Sequence, residues 1–328
     1  MSTIKHPKHE RKIAVGMETS YGDGTTAVSR YLPVEDATFD YVKDSVIKET
    51  QGVRAAALSS YKREGVITPS ISGDVEADSI GELLLCTFGT IATGTNLENA
   101  SGTQFLHTYT LAGTVSDALP SCRFVDEFSQ GTAFTYAGIR GNTLTFNVVN
   151  KETLKYSFDG IGQREVGGTT ETGKRYGTWR PFIFKDMEIT IDGTVRNDIY
   201  NFELSVNRNL SEGFRLGTQE YTTRPLPGKS EVSASFSVEW DYVNRDRYLN
   251  GSTFDMQVKF TGETIGGTGK NQININLPKI VFQTAPNSTG DDELRTIDVT
   301  AIAFEGGTSD YGTSEAIRVL LYNSINAY

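Results

Sequence analysis

Three histidines and two cysteines are all that this 328-residue chain offers toward metal or thiol chemistry, and they do not cluster. His6 and His9 sit in a basic N-terminal stretch, and His107 lies in an alternating segment. Cys86 and Cys122 are far apart, with no histidine beside either, so the spacing of a zinc site is missing. Acid pairs such as Asp126-Glu127 are adjacent, which in a strand points them to opposite faces and makes a poor acid–base couple. The run Asp291-Asp292-Glu293 lacks the alternation of a calcium loop. No nucleophile elbow, phosphate loop or dinucleotide fingerprint occurs. The chain therefore reads as a non-enzyme with no metal and no cofactor.

Charge narrows the partners. A net charge of −10 and a pI near 5.0 are the reverse of the basic footprint that grips nucleic acid. The two cysteines, one of them in an apolar helical run, read as reduced, buried thiols of a protein made in the cytosol. The opening MSTIKHPKHERK has no apolar core and is not expected to be a secretory signal. No window is long and apolar enough for a membrane helix.

The elements are mostly strands. Glu64–Thr90 alternates from Val66 to Gly73 and then changes period, with Ile80, Leu83 and Leu84 on one helical face. Asp78 or Ser79 is expected to cap that helix, and Gly89 to end it. Glu231–Trp240 alternates over ten residues and leads into a second short helix, with Asp241 as cap and Gly251 as stop. Gly141-Asn142 and Asn150-Lys151 read as turns between strands. Leu119-Pro120 and Leu277-Pro278 each stand just before a Val/Phe pair. Helix and Leu-Pro signals thus recur about half a chain apart, and the order of elements reads as a duplicated β domain. The expected layout is a flexible arm over 1–30, a β domain over 31–162, a glycine-rich linker over 163–178 and a second β domain over 179–328.

These stretches carry a resemblance. GVITPSISGDVEADSIGELLLCTFGT with FTYAGIRGNTLTFNVV, and SEVSASFSVEWDYVNRDRYLNGSTFDMQVKF with INLPKIVF, resemble the tail tube (major tail) proteins of long-tailed, non-contractile bacteriophages. The likeness lies in element order and texture over about 35–325. It implies a mainly β fold of two tandem tail-tube-type β-sandwich or barrel domains, each with one short flanking helix. The implied function is that of a structural virion subunit stacking as rings, trimeric and pseudo-hexameric or else hexameric, around a lumen that conducts viral DNA to the host during infection without specific binding. The implied partners are further copies of itself, the tape measure protein, the tail terminator and tail-tip proteins, with no membrane.

The tube that the resemblance implies would be lined by about twenty-four strands. Spaced about 4.8 Å apart and tilted about 40°, these close to a backbone diameter of roughly 45–50 Å, which passes a duplex. Candidate lumen acids are Glu188, Asp192, Glu203, Glu231 and Glu239. Loops at 44–61 and 208–229 would contact the next ring through Lys48, Arg54, Arg208, Glu212 and Arg215. The competing reading is a non-catalytic β-sandwich binding or adhesion module.

Overall fold

The computed structural model describes residues 10–28, 30–43, 45–48, 59–62, 65–96, 104–112, 119–128, 132–169, 176–178, 180–213, 223–265, 269–285, 296–306 and 315–328. The first half runs β1 (Lys12–Met17), β2 (Arg30–Tyr31), β3 (Asp36–Val42), β4 (Ser45–Lys48), β5 (Ser59–Lys62), β6 (Val66–Asp74) and α1 (Gly81–Phe88). It continues with β7 (Gly89–Asn96), β8 (Phe105–Leu111), β9 (Cys122–Phe128), β10 (Thr132–Val149), β11 (Lys155–Ile161) and β12 (Arg164–Thr169). The second half is β13 (Met187–Ile191), β14 (Thr194–Arg196), β15 (Ile199–Asn207), β16 (Ser211–Gly213), β17 (Thr223–Leu226), β18 (Glu231–Glu239) and α2 (Tyr242–Asn250). The strands β19 (Phe254–Thr264), β20 (Lys270–Thr284), β21 (Thr296–Ala303) and β22 (Arg318–Asn323) close it. All the pairings are antiparallel.

Period-two sequence becomes half-buried strand wherever it was read. In β18 the residues Val232, Ala234, Phe236 and Val238 are buried, while the glutamates and serines between them are not. α1 buries all eight of its residues, and Gly89 ends it in the left-handed conformation at φ 91°. Its start differs from expectation. Ile80 holds the cap position with no side-chain cap, because the Asp78 carboxylate is used elsewhere, accepting from Ser324 N at 3.2 Å and from Ser324 Oγ. In α2 the Asp241 carboxylate does accept from Asn244 N, and Gly251 closes the helix at φ 59°.

Three segments depart from the sequence reading. The expected arm contains β1, antiparallel to β9, with Ile13, Ala14 and Val15 buried. The expected linker contains β12, six residues paired with β10. Backbone hydrogen bonding holds this glycine-rich segment where side-chain pattern is weak. Gly141-Asn142 is not a hairpin turn but a register shift inside the continuous strand β10. A Cβ at Gly141 would come within 2.5 Å of Thr87 Oγ1 and 2.9 Å of Phe158, so glycine allows the strand to cross beneath α1.

The choice of partners repeats along the chain. In the first half β1 pairs with β2 and β9, β9 with β10, and β10 with β12. In the second half β13 pairs with β14 and β19, β19 with β20, and β20 with β22. The series β3–β6–β11–β10 recurs as β15–β18–β21–β20. α1 follows β6 as α2 follows β18, and the two-stranded sheets β4–β5 and β16–β17 stand in the connections ahead of β6 and β18. This pattern corrects the Leu-Pro alignment. Leu119-Pro120 leads into β9, whereas Leu277-Pro278 lies inside β20, the counterpart of β10.

Among the described strands, two pairings cross between the halves. β10 pairs with β15 from Thr143↔Asn207 to Val149↔Asn201, which fuses the two four-strand series into one eight-strand run. β8 pairs with β22, and the hairpin β7–β8 has no counterpart among the described residues of the second half. One apolar cluster includes Phe124, Phe146 and Phe158 together with Phe202, Phe236 and Ile275. Each such side chain contributes about 2–3 kcal/mol by leaving water.

Candidate functional site

The eight-strand run β3–β6–β11–β10–β15–β18–β21–β20 has two unlike faces, because alternate side chains point to opposite sides. The inward set is the core. The outward set is mostly hydroxyls, amides and acids: Ser72, Ser157, Thr145, Ser205 and Ser233 run across it in register, and Ser235 faces Thr300 beside them. Asp36, Asp40, Glu203, Glu231 and Asp298 are exposed on it, and Asp74, Asp159 and Glu239 half-buried. Among the described outward positions from β3 to β21, Lys155 is the single cation, and it is neutralised by Glu35 at 2.8 Å. With Lys279 on β20, the face carries eight carboxylates against two ammonium groups, one of them paired, which leaves a negative field.

Short polar side chains hold each other across these strands. Asn147 Nδ2 donates to Glu203 Oε2 at 3.1 Å, Asn201 Nδ2 to Ser237 Oγ at 3.0 Å, and the Ser237 hydroxyl to Asp298. Tyr200 OH donates to Glu239 Oε1 at 2.8 Å. Such bonds between neighbours tie the side chains to one another across the strands.

The expected lumen acids divide between two places. Glu203, Glu231 and Glu239 share the polar face of the eight-strand run. Glu188 instead pairs across to Lys259 in the β13–β19 ladder, and Asp192, in the β13–β14 turn at φ 47°, accepts a hydrogen bond from Arg247 of α2. Five further acids on the polar face escaped the sequence reading: Asp36, Asp40, Asp74, Asp159 and Asp298. The signal was present, since each occupies an outward position of an alternating strand.

The expected loop residues also separate. Lys48 ends β4 opposite Ser59, and Glu212 is exposed in β16. Arg54 and Arg215 lie outside the described residues. Arg208 is buried at 1% exposure, with Nη2 donating to Ala112 O at 3.2 Å, and its burial lowers the guanidinium pKa. It lines a cavity of about 650 Å³ with Leu111, Pro227, Lys229 and Glu305. Arg208 thus supports the root of its loop and is not on the loop's exposed part.

Other reactive types are structural. His107 Nε2 lies 2.7 Å from Ile325 O, its ring stands edge-on to Tyr328, and burial lowers its pKa. Glu82, buried in α1, is paired with Arg30. Among the described residues no group of histidine, cysteine and acid side chains is arranged to hold a metal, and no helix is long and apolar enough to cross a membrane.

A family model described as phage tail tube protein matches residues 9–306. The chain belongs to the phage tail tube protein family. Membership makes it a structural component of the virion tail, which assembles into a tube with other tail proteins. A search of curated proteins finds no match. The family match begins ahead of β1 and runs past β21, so it takes in the N-terminal strand and the acidic sheet face of this tail tube protein alike.

Proposed function

We propose that the eight-strand sheet of each subunit lines the lumen of the tail tube, with its acidic face turned toward the passing DNA. The observation that carries this reading is the near absence of cations on that face. Lysine or arginine there would exchange counterions with phosphates and hold the duplex, whereas carboxylates and hydroxyls repel or ignore it. Three subunits of eight strands supply the roughly twenty-four strands that a duplex-wide tube needs.

In this reading the chain consists of two tandem units, meeting near residues 170–179, and the repeated pairing pattern supports it. Three chains then make a pseudo-sixfold ring. The loops that bear β4–β5 and β16–β17 leave corresponding places in the two units and reach the next ring. The tape measure protein fills the lumen before DNA does, and terminator and tail-tip proteins cap the two ends. Electron microscopy of the purified, self-assembled protein tests the reading. Rings with threefold symmetry and an open lumen support it. Six chains per ring would remove the tandem-unit arrangement, and solid filaments would remove the lumen.

A further inference from the structure

Arg208 carries its charge into the protein with no acid to receive it. It follows β15, and its main chain is pinned on both sides. Its amide donates to Asn142 O at 2.7 Å, and Gly228 N donates to its carbonyl at 3.0 Å. The side chain is 1% exposed, yet Nε and Nη1 have no hydrogen-bond partner among the described residues. Three N–H groups are thus unsatisfied, and Nη2 alone is held, by Ala112 O. Burial lowers its pKa, and no carboxylate acts to raise it. Arg11 and Arg30, by contrast, are bonded by Asp126 and Glu82. A buried ion is ordinarily paired, because a lone one forfeits its hydration.

The same side chain lines the cavity of about 650 Å³, a size within the roughly 300–1,000 Å³ of small-molecule pockets. Ala112 lines it as well, so the guanidinium head stands at that wall. Much of the remaining wall is apolar, made by Leu111, Pro227, Val232 and Phe304. Lys229 and Glu305 also border the cavity, but both are exposed and their opposite charges offset one another. One positive charge therefore remains inside. Water satisfies N–H groups but neither neutralises that charge nor favours the apolar walls. Phosphate is strongly hydrated and brings a second negative charge that the walls do not match. A monoanion with a short hydrocarbon chain fits both the cation and the apolar wall.

We propose that this cavity binds a small monocarboxylate, its acid group on the unsatisfied N–H groups of Arg208 and its hydrocarbon chain against Leu111, Val232 and Phe304. The bound acid joins the end of β8 to both ends of the 208–229 connection and to the residue that follows β21. Binding therefore stiffens the base of that connection. The site lies within one chain and does not depend on assembly.

Calorimetric titration of the purified full-length monomer with sodium butyrate, at ionic strength held constant with sodium chloride, tests the proposal. The wild type should bind one butyrate with a Kd of about 1 mM, the strength of one charge-assisted contact and a short chain. Its melting temperature should rise by about 3 °C at about twentyfold excess over Kd. Phosphate should bind roughly tenfold more weakly. Arg208→Met keeps the bulk without the charge, and Arg208→Lys keeps the charge without Nε; each should weaken butyrate roughly tenfold. Phe304 is 46% exposed, so Phe304→Ala keeps the fold and should weaken butyrate about threefold. Circular dichroism identifies the folded variants. Absence of saturable binding by the wild type below about 20 mM overturns the proposal. So does wild-type affinity in any folded variant, or phosphate binding as tightly as butyrate.

Discussion

Cys86 Sγ and Cys122 Sγ lie 2.9 Å apart, both fully buried and both facing the Ile139 carbonyl oxygen, at 3.4 and 3.5 Å. This contact ties α1 to β9 at the point where β10 passes beneath. Burial pushes the Cys122 thiol well up, with its neighbour Cys86 adding to the shift. Since the thiolate is the reactive form, the folded protein should resist alkylation near neutral pH. Titration with a thiol reagent should find neither sulfur in the native monomer and both after denaturation. Rapid native labelling of either would show that α1 opens easily.

A second expectation concerns pH. Glu76, at the turn from β6 to α1, is raised to about 7, first by burial and then by the charges of Asp78 and Asp74. A carboxyl whose folded pKa exceeds its unfolded value binds its proton more tightly in the fold. Its stabilising contribution is therefore complete below about 4.5 and is lost as pH rises through about 7. Glu76→Gln should leave stability at pH 5 nearly unchanged and raise it at pH 8 by about 1 kcal/mol, because solvent screens this half-buried site. Urea midpoints at the two pH values read the difference, and an equal effect at both would refute it.

Backbone crowding gives a third. A Cβ on Gly73 would fall 1.9 Å from Pro33 O, a main-chain atom that cannot swing aside. Gly73→Ala should cost about 3 kcal/mol, visible as a lowered melting temperature. Near-normal stability would mean that the segment before β3 is free to move.

The sheet face supplies the fourth. Glu203→Lys with Asp298→Lys replaces two exposed acids on neighbouring parts of the polar face. Wild-type tubes should not retain duplex DNA. The variant should retain it at about 50 mM salt and release most of it by about 200 mM. Retention by the wild type at low salt would argue that this face does not line the DNA path.

Much of this fold was legible where one face is buried and the other wet. β6 and β18 followed from period two, and α2 from Asp241 and Gly251. What escaped depends on partners distant in sequence. The six residues of β1 follow a basic stretch and are strand because β9 receives them. β12 is held by main-chain bonds to β10, which leave no trace in side-chain pattern. Gly141-Asn142 has the chemistry of a turn, yet here it relieves crowding in a strand that passes beneath a helix. Of the acidic face, the glutamates of β15 and β18 were found because they alternate with large apolar residues. Asp40 and Asp159 also stand beside large apolar residues, Phe39, Tyr41 and Phe158, but that β3 and β11 share one sheet face with β15 and β18 depends on strand pairing distant in sequence. Nothing local marks Arg208 as buried, since arginine in a loop is ordinarily exposed.

The strand pairs β10–β15 and β8–β22 also decide how the molecule comes apart. Because both run between the halves, the peptide connection near residues 170–179 is not what keeps them together. A protease cut there should leave the two fragments associated, melting in one transition and separating only in denaturant. For the same reason, two separately produced polypeptides broken at that point should find each other and rebuild the fold.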